Sequence, residues 1–292
     1  MKRLRRRAAE WLREVDRRRR RTRDVAVISY QKSGRTWVRF MLEKSGVRLM
    51  YDHAGAQNRL AQPFEDIADQ VSDWRDWRIV FLFRDPRDTV VSSYFEATKR
   101  LKERHRYTGT IGEFARDPRY GLEKIARFNL HWLASLEQFK DGASVSYEDL
   151  QQSTDHEFAR VLRFITGRAP VAVVRRAVAA GRFDNMRKIE VALAGKMNEN
   201  NKLGGGTPGD RESLKTRRGQ VGGWRDYFDE ADREWMDQLL SDLGYWTKVA
   251  ELHPFEPGPQ ATKVSRKKLG KWGDRRDLNP RPPVPQTGAL TN

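Results

Sequence analysis

The 292-residue chain is long enough to bury the core of one α/β domain and still leave a segment at each end. It has no cysteine, which excludes disulfides, zinc thiolate sites and a cysteine nucleophile. Its net charge is +17, but residues 1–23 carry +9 of it (twelve Lys and Arg against three acids) and residues 252–292 carry +5 (eight against three). The middle of the chain is only mildly basic, which disfavours specific nucleic-acid binding.

These differences in composition divide the chain into three parts. We expect a basic N-terminal helix or tail at 1–23, a domain at 24–250, and a basic, proline-rich, disordered tail at 251–292. Trp11 and Val15 share one face of the first part, so it predicts either peripheral contact with an anionic membrane or a helix packed on its own domain. The sequence lacks an apolar run of membrane-spanning length and the apolar core of a signal peptide, so we expect a cytoplasmic protein.

Four segments predict the strands of a parallel sheet. Residues 25–29 and Arg78–Phe83 are nearly continuous apolar runs, typical of strands that are buried on both faces. Residues 48–51 and 143–147 are shorter candidates. Helical patterns lie between these segments, and strands that alternate with helices indicate an α/β fold with right-handed crossovers.

Apolar residues at spacings of three and four predict helices at 122–139, at 158–165 and at 235–243. We expect Thr154 or Asp155 to cap the second of these helices, and we interpret the third as the last helix of the domain.

Residues 198–217 fit neither pattern. They are polar, contain four glycines and one proline, and offer little apolar surface to bury. We therefore expect a mobile loop, and a loop of this length inside a domain is typical of a lid.

The turn at residues 31–36, which we call the anion turn, combines several groups that bind phosphate. Backbone N–H groups at a strand-to-helix turn favour an anion, and Gly34 allows close approach. Lys32 adds a charge, and Ser33 and Thr36 add hydroxyl donors. Because the lysine precedes the glycine, the turn is not a Walker loop with its Mg²⁺-binding hydroxyl, and it predicts a phosphate site without a metal.

A second anion site is predicted after the strand Arg78–Phe83. Arg84 follows the carboxyl end of this strand, where ligands collect in α/β sheets, and Ser92 lies eight residues further on in the next helix. The two side chains could share one phosphate. The open alternative is that Arg84 pairs with Asp85 or Asp88.

These stretches and three later ones resemble the PAPS-dependent sulfotransferase family of the cytosolic type, where PAPS is 3′-phosphoadenosine 5′-phosphosulfate. The family's YPKSGTTW-like loop has its counterpart here in YQKSGRTW, and its Arg-x-x-x-Asp-x-x-x-Ser pattern in Arg84, Asp88 and Ser92. SYEDL, RFDNMRK and RRGQVGGWRDYF follow in the family's order, so that the resemblance spans residues 25 to 245.

The resemblance implies a P-loop-NTPase-like three-layer fold, in which helices flank a central parallel sheet. It also implies transfer of a sulfuryl group from PAPS, without a metal, to a hydroxyl or amine. Residues that would hold the 5′-phosphosulfate and the purine are Lys32, Ser33, Gly34, Arg35, Thr36 and Trp37. Those that would bind the 3′-phosphate are Arg84, Ser92, Arg217, Arg218 and Gly219, while Tyr147 would face the adenine and Met186 would support it.

The family's general base is a histidine between the first two motifs, and only His53 lies there. We expect it to take the acceptor's proton because a near-neutral pKa suits a base, while Lys32 stabilises the leaving phosphate. The alternative is an ordinary histidine at a strand end. Three residues depart from the family pattern: Gln31 stands where proline is usual, Arg35 stands where threonine is usual, and Asp52 stands before the histidine.

Two further functions stay open. A P-loop-like kinase would need a carboxylate that holds Mg²⁺, and a catalytically silent protein would bind only PAP, the adenosine 3′,5′-bisphosphate product. The expected partner is a small-molecule, lipid or carbohydrate acceptor. The sequence names neither the acceptor nor an oligomeric state.

Overall fold

The computed structural model describes residues 22–194, 203–204 and 206–254. The predictions for the basic N-terminal segment and the proline-rich tail therefore fall almost entirely outside the described residues. None of the helices in these described ranges is long and apolar enough to cross a membrane.

Four parallel strands form the central sheet: β1 (Val25–Ile28), β2 (Met50–Asp52), β3 (Arg78–Phe83) and β4 (Asp141–Ser146). Their spatial order is β2-β1-β3-β4, and every pairing is parallel. The predicted parallel α/β sheet is confirmed. β4 begins two residues earlier than predicted because Asp141 and Gly142, although polar, pair through their backbones with Arg78 and Ile79.

The described α-helices are α1 (Arg35–Lys44), α2 (Pro86–Lys99), α3 (Ile111–Arg116), α4 (Leu122–Ala134), α5 (Tyr147–Gln152), α6 (Thr154–Thr166), α7 (Val171–Ala180), α8 (Phe183–Ala192), α9 (Glu230–Asp242) and α10 (Tyr245–Leu252). Because α10 follows α9, the expectation that the helix at 235–243 is the last one is wrong. The Gly244 backbone, with φ of +59°, permits the turn between these two helices.

The predicted cap of α6 is also wrong. The N-cap residue is Ser153, one position before the candidates. The Thr154 hydroxyl instead donates to the Leu150 carbonyl at 2.7 Å, which ties the start of α6 to the preceding helix α5.

Apolar side chains cover both faces of the sheet and create three layers. On one face, Phe81 of β3 stacks on Trp132 of α4 with the ring centroids 5.8 Å apart. On the other face, Val80 packs with Met41 of α1 and Phe158 of α6. The alternation of Val80 and Phe81 between the two faces follows from the period of two along a strand.

The strand order places the anion turn beside the end of β3. From β1 the chain crosses to β2 on one side and later returns to β3 on the other side. The carboxyl end of β1 is therefore a topological switch point, where open α/β sheets bind their ligands.

The described part of the predicted loop at 198–217 buries apolar side chains. Leu203 and Leu214 are buried, and Ser213 ends a short 3₁₀ turn, Arg211–Ser213, with its side chain fully covered. The expectation that this stretch buries little is wrong for these residues. Its role as a lid stays a prediction.

Candidate active site

The anion turn has a backbone shape that only a few residues tolerate. Lys32 and Gly34 both adopt left-handed conformations, with φ of +70° and +97°. A Cβ on Gly34 would lie 2.6 Å from Cδ2 of Tyr147, so glycine is required there. α1 begins at this turn without a side-chain cap and without an acid in its first turn, as far as the described residues show. Its first N–H groups are thus available to an anion.

Buried polar atoms around the two predicted anion sites lack partners. We use the name open donors for Gln31 Nε2, Arg35 Nη1 and Arg84 Nε, which make no hydrogen bond to any described residue. An unsatisfied buried polar group costs about 1–3 kcal/mol, so native proteins rarely retain one. Such a group of donors fits a ligand that is rich in acceptors.

A cavity of about 460 Å³ lies at the carboxyl ends of β1 and β3. Thirteen of the fourteen predicted site residues line it: Lys32, Gly34, Arg35, Thr36, Trp37, His53, Arg84, Ser92, Tyr147, Met186, Arg217, Arg218 and Gly219. Ser33 is the exception, because its side chain is fully buried beneath the turn. Lys32 and Arg84 therefore open into the same space, although 52 positions separate them in the chain.

The cavity wall is strongly cationic, with eight Lys and Arg residues against Asp88 and Glu96. Burial lowers the pKa of Lys32, and the charge of Glu96 opposes that shift. Burial, with the charges of Arg100 and Lys32, also lowers the pKa of Lys215 to about 8. Crowded, desolvated cations of this kind are stabilised by a multiply charged anion.

Arg84 makes contacts that leave part of its guanidinium free for a ligand. Its Nη2 donates to the Gln220 carbonyl at 3.0 Å and lies 3.6 Å from Oδ2 of Asp88. The guanidinium carbon also lies 4.3 Å from the centre of the Tyr147 ring. The pairing with Asp88 that was left open does occur, but Nε remains one of the open donors.

An aromatic wall lies next to these cations. The rings of Trp37 and Tyr147 meet edge to face with centroids 5.7 Å apart. Trp37 Nε1 donates to the Gly181 carbonyl at 2.8 Å, and the Tyr147 hydroxyl accepts from Gln151 Nε2 at 2.9 Å. Met186 is buried beside them. The polar tips of both aromatic residues are satisfied, so their flat apolar surfaces are held in place.

Two buried carboxylates anchor residues 215–224, which we call the closing segment. Glu190 accepts from the backbone N–H groups of residues 215–216 at 2.6 and 2.7 Å, and also from the hydroxyl of Thr216. Asp88 accepts from the backbone N–H groups of Gly222 and Trp224 at 2.7 and 3.0 Å. The stretch between these two anchors is thereby held against the cavity.

Arg217, Arg218 and Gly219 occupy that stretch. Arg217 pairs with Glu212 at 3.1 Å and donates to the Tyr227 hydroxyl. Arg218 pairs with an exposed acid, Asp226, at 2.5 Å. Both arginines reach the cavity wall with a neighbouring acid already bound.

His53, directly after β2, is partly buried between two partners. Its Nδ1 donates to the Ser29 carbonyl at 2.9 Å, so Nε2 is the acceptor nitrogen, and Arg35 Nη2 lies 2.5 Å from it. Burial and the charge of Arg35 lower the pKa of His53 to about 3. The expectation of a near-neutral pKa is therefore wrong, because the ring is desolvated beside a cation.

Sequence reasoning missed two residues that shape the site. Lys215 lines the cavity two positions before Arg217, and its place in LKTRRG, just ahead of a recognised motif, could have indicated it. Glu190 lies on α8 and binds the closing segment 25 residues further on. Nothing in the local pattern around Glu190 signals that contact.

The comparison with protein families is consistent with this geometry. The sulfotransferase domain family matches residues 63–252, more than half of the chain. A curated relative, cytosolic sulfotransferase 12 of Arabidopsis thaliana, is 27% identical over 169 residues, which are 56% of this chain and 49% of the relative. The match thus spans about half the length of that relative.

Solved structures share the fold at low sequence identity. Mouse sulfotransferase SULT7A1, complexed with PAP, aligns with a TM-score of 0.55 and 16% identity over 75% of this chain and 83% of its own. Retinol dehydratase, in complex with androsterone and the inactive cofactor PAP, aligns with a TM-score of 0.53 and 18% identity over 80% of this chain and 82% of its own.

A parallel sheet with helices on both faces and an anion turn after its first strand is the arrangement of P-loop-like α/β proteins. Within that class, the match over residues 63–252 shows that the chain belongs to the sulfotransferase domain family. The resemblance seen in the motifs is confirmed. The matched region begins after the anion turn and His53.

Proposed function

We propose that the protein transfers a sulfuryl group from PAPS to a hydroxyl or amine of a small-molecule, lipid or carbohydrate acceptor. One observation carries the proposal: in a chain of the sulfotransferase domain family, the anion turn and Arg84 line a single cavity that contains open donors at both places. PAPS has one anionic group at the 3′ position and another at the 5′ position of its ribose. A volume of about 460 Å³ is also in the range of small-molecule sites.

The residues present fit this donor. The anion turn, with Lys32, would hold the 5′-phosphosulfate, and Arg84 with Ser92 would hold the 3′-phosphate. The absence of a side chain at Gly34 lets the Tyr147 ring lie against the anion turn, and the aromatic wall of Trp37 and Tyr147 offers an apolar surface for the adenine. The closing segment would add Arg217, Arg218 and Gly219 beside the 3′-phosphate.

PAPS, when bound, supplies a sulfuryl group: the acceptor oxygen or nitrogen bonds to sulfur, the bond from sulfur to the bridging oxygen breaks, and PAP leaves with that electron pair. Lys32 places a buried positive charge where negative charge develops on the leaving phosphate, which is worth about 2.7–4 kcal/mol in comparable sites. The rest of the rate enhancement comes from holding both reactants in line.

His53 is the proposed base for the acceptor's proton. The bond from Nδ1 to the Ser29 carbonyl fixes the tautomer, so that the lone pair lies on Nε2. The lowered pKa keeps the ring neutral, and therefore able to accept, at any pH near neutrality.

The test follows radiolabelled sulfur from PAPS into products of a metabolite, lipid and oligosaccharide extract, with the full chain and with EDTA present. We expect labelled products with the wild type and none with His53→Ala, which should still bind PAP. In a parallel assay without EDTA, turnover of ATP that requires Mg²⁺, with no transfer of label from PAPS, would indicate the kinase alternative. Binding of PAP with no labelled product from any extract would indicate the silent alternative.

A further inference from the structure

Arg35 is unusual in its surroundings. It stands at the first position of α1, where the family pattern has threonine, and its side chain lies in the cavity wall. In the described ranges no carboxylate lies within ion-pair distance of it, and its Nη1 is an open donor. Its Nη2 already donates a hydrogen bond to the ring of His53. A partly buried guanidinium without a counter-ion is poorly satisfied.

The same contact blocks His53. With Nδ1 bonded to the Ser29 carbonyl, Nε2 carries the only lone pair of the ring, and Arg35 donates into it. An acceptor hydroxyl cannot give its proton to Nε2 while this bond persists. An anion beside the anion turn would be a better partner for Arg35, because a phosphate or sulfate adds ionic attraction and can accept from both arms of the guanidinium, whereas the neutral imidazole offers a single lone pair.

We propose that Arg35 couples donor binding to the base: its guanidinium holds Nε2 of His53 until the sulfate or 5′-phosphate of the donor takes the guanidinium, which frees Nε2 for the acceptor. Arg35 is thus a positioning residue for His53. The inference rests on the proposed function, because it assigns an anionic group of the donor to the anion turn. It favours binding of the donor before productive binding of the acceptor.

The charges around His53 set the direction of the expected change. Arg35 on α1 and Lys32 in the anion turn are the cations that lower its pKa. Asp52 on β2 and Glu96 on α2 are the acids whose charges act on Arg35. An anion bound to Arg35 would offset its charge at the ring, so the pKa of His53 rises when the donor binds.

The test uses nuclear magnetic resonance of the imidazole nitrogens in the full chain, with PAP as the probe and no turnover required. The chain has five histidines, and the spectrum of His53→Gln assigns the resonance of interest. In the wild type we expect PAP to shift the Nε2 resonance of His53 and to raise its pKa by about one unit, a tenfold gain in proton affinity. In Arg35→Thr the pKa should be raised before PAP is added, and PAP should change it little.

Arg39→Thr is the matched control, because Arg39 lies one turn further along α1, lines the same cavity and pairs with Glu43 at 2.8 Å instead of contacting the histidine. It should respond to PAP like the wild type. Arg35→Lys, which keeps the charge but not the forked donor, provides a second comparison if the threonine variant does not fold. PAP that binds the wild type but leaves the Nε2 resonance unchanged overturns this inference alone. PAP that does not bind the wild type overturns the proposed function, and this inference with it.

Discussion

The chain builds two kinds of anion-binding arrangement within one wall of the cavity. In the first kind, backbone N–H groups surround carboxylates of the protein itself, Glu190 and Asp88, both of them buried. In the second kind, the open donors Arg35 Nη1, Arg84 Nε and Gln31 Nε2 bond to no carboxylate of the described residues, although Nη2 of Arg84 lies 3.6 Å from Asp88. The donor chemistry is similar, and what differs is whether the protein supplies the anion.

This difference separates anchoring from binding. A carboxylate held by backbone N–H groups fixes the closing segment, and that fixation needs no ligand. A set of open donors is satisfied only when an external anion arrives, so its stabilisation appears as binding affinity. The closing segment takes part in both anchoring and binding, because its anchors hold Arg217 and Gly219 against the same cavity.

Removing the charge of Lys32, which lies in the anion turn beside the open donors, should have the largest effect. In Lys32→Ala we expect turnover to fall about 100- to 1,000-fold, while PAP affinity falls much less, because the charge is needed most when the phosphate leaves. Steady-state kinetics beside PAP titration calorimetry measures both. Equal losses in turnover and in PAP affinity would show that Lys32 binds the ground state and the transition state alike.

Arg84→Ala should weaken binding of the 3′-phosphate of the ligand and leave binding of its 5′-phosphate unchanged. We expect PAP to bind about 10- to 100-fold more weakly, since a hydrogen bond to a charged group contributes about 1.5–3 kcal/mol. Adenosine 5′-monophosphate, which lacks the 3′-phosphate, should bind almost unchanged. Arg84→Lys should lose less than Arg84→Ala, because it still provides a counter-charge to the buried Asp88. A similar loss for both nucleotides would remove Arg84 from the 3′-phosphate site.

Much of the anion site formed by the open donors was predictable from the sequence. The carboxylates that anchor the closing segment were not. Apolar runs marked β1 and β3, and the anion turn and Arg84 follow directly after them, so local patterns located both halves of the cavity. The bond from Glu190 to the closing segment joins two elements whose local patterns are ordinary. The contact of Arg35 with His53 depends on side-chain packing across 18 positions, which no periodicity encodes.

The anchoring of the closing segment can be tested by removing the carboxylate of Glu190. Glu190→Ala leaves two buried N–H groups without an acceptor, so we expect the free energy of unfolding to fall by about 1–3 kcal/mol. PAP affinity should fall as well, because the closing segment loses one anchor. Denaturant unfolding measures the first effect and calorimetry the second.

Asp226→Ala is the control for this variant. It removes an exposed acid that pairs with Arg218 in the same region, and surface pairs contribute at most about 1 kcal/mol. If Glu190→Ala were no less stable than Asp226→Ala, the buried carboxylate would not be an anchor.

The smallest expected effect is a pH dependence of the affinity for PAP, which we attribute to Lys215 of the closing segment. Lys215 is cationic below its pKa of about 8 and loses its charge as the pH rises through that value. PAP favours the protonated form, so its binding takes up a proton, and its affinity should fall above pH 8 by at most about tenfold per pH unit. Lys215→Met should make this fall shallower, and the difference between the two profiles isolates Lys215 from Lys32, whose pKa is also lowered. Identical profiles would mean that Lys215 stays clear of the bound phosphates, and that the closing segment contributes its arginines alone.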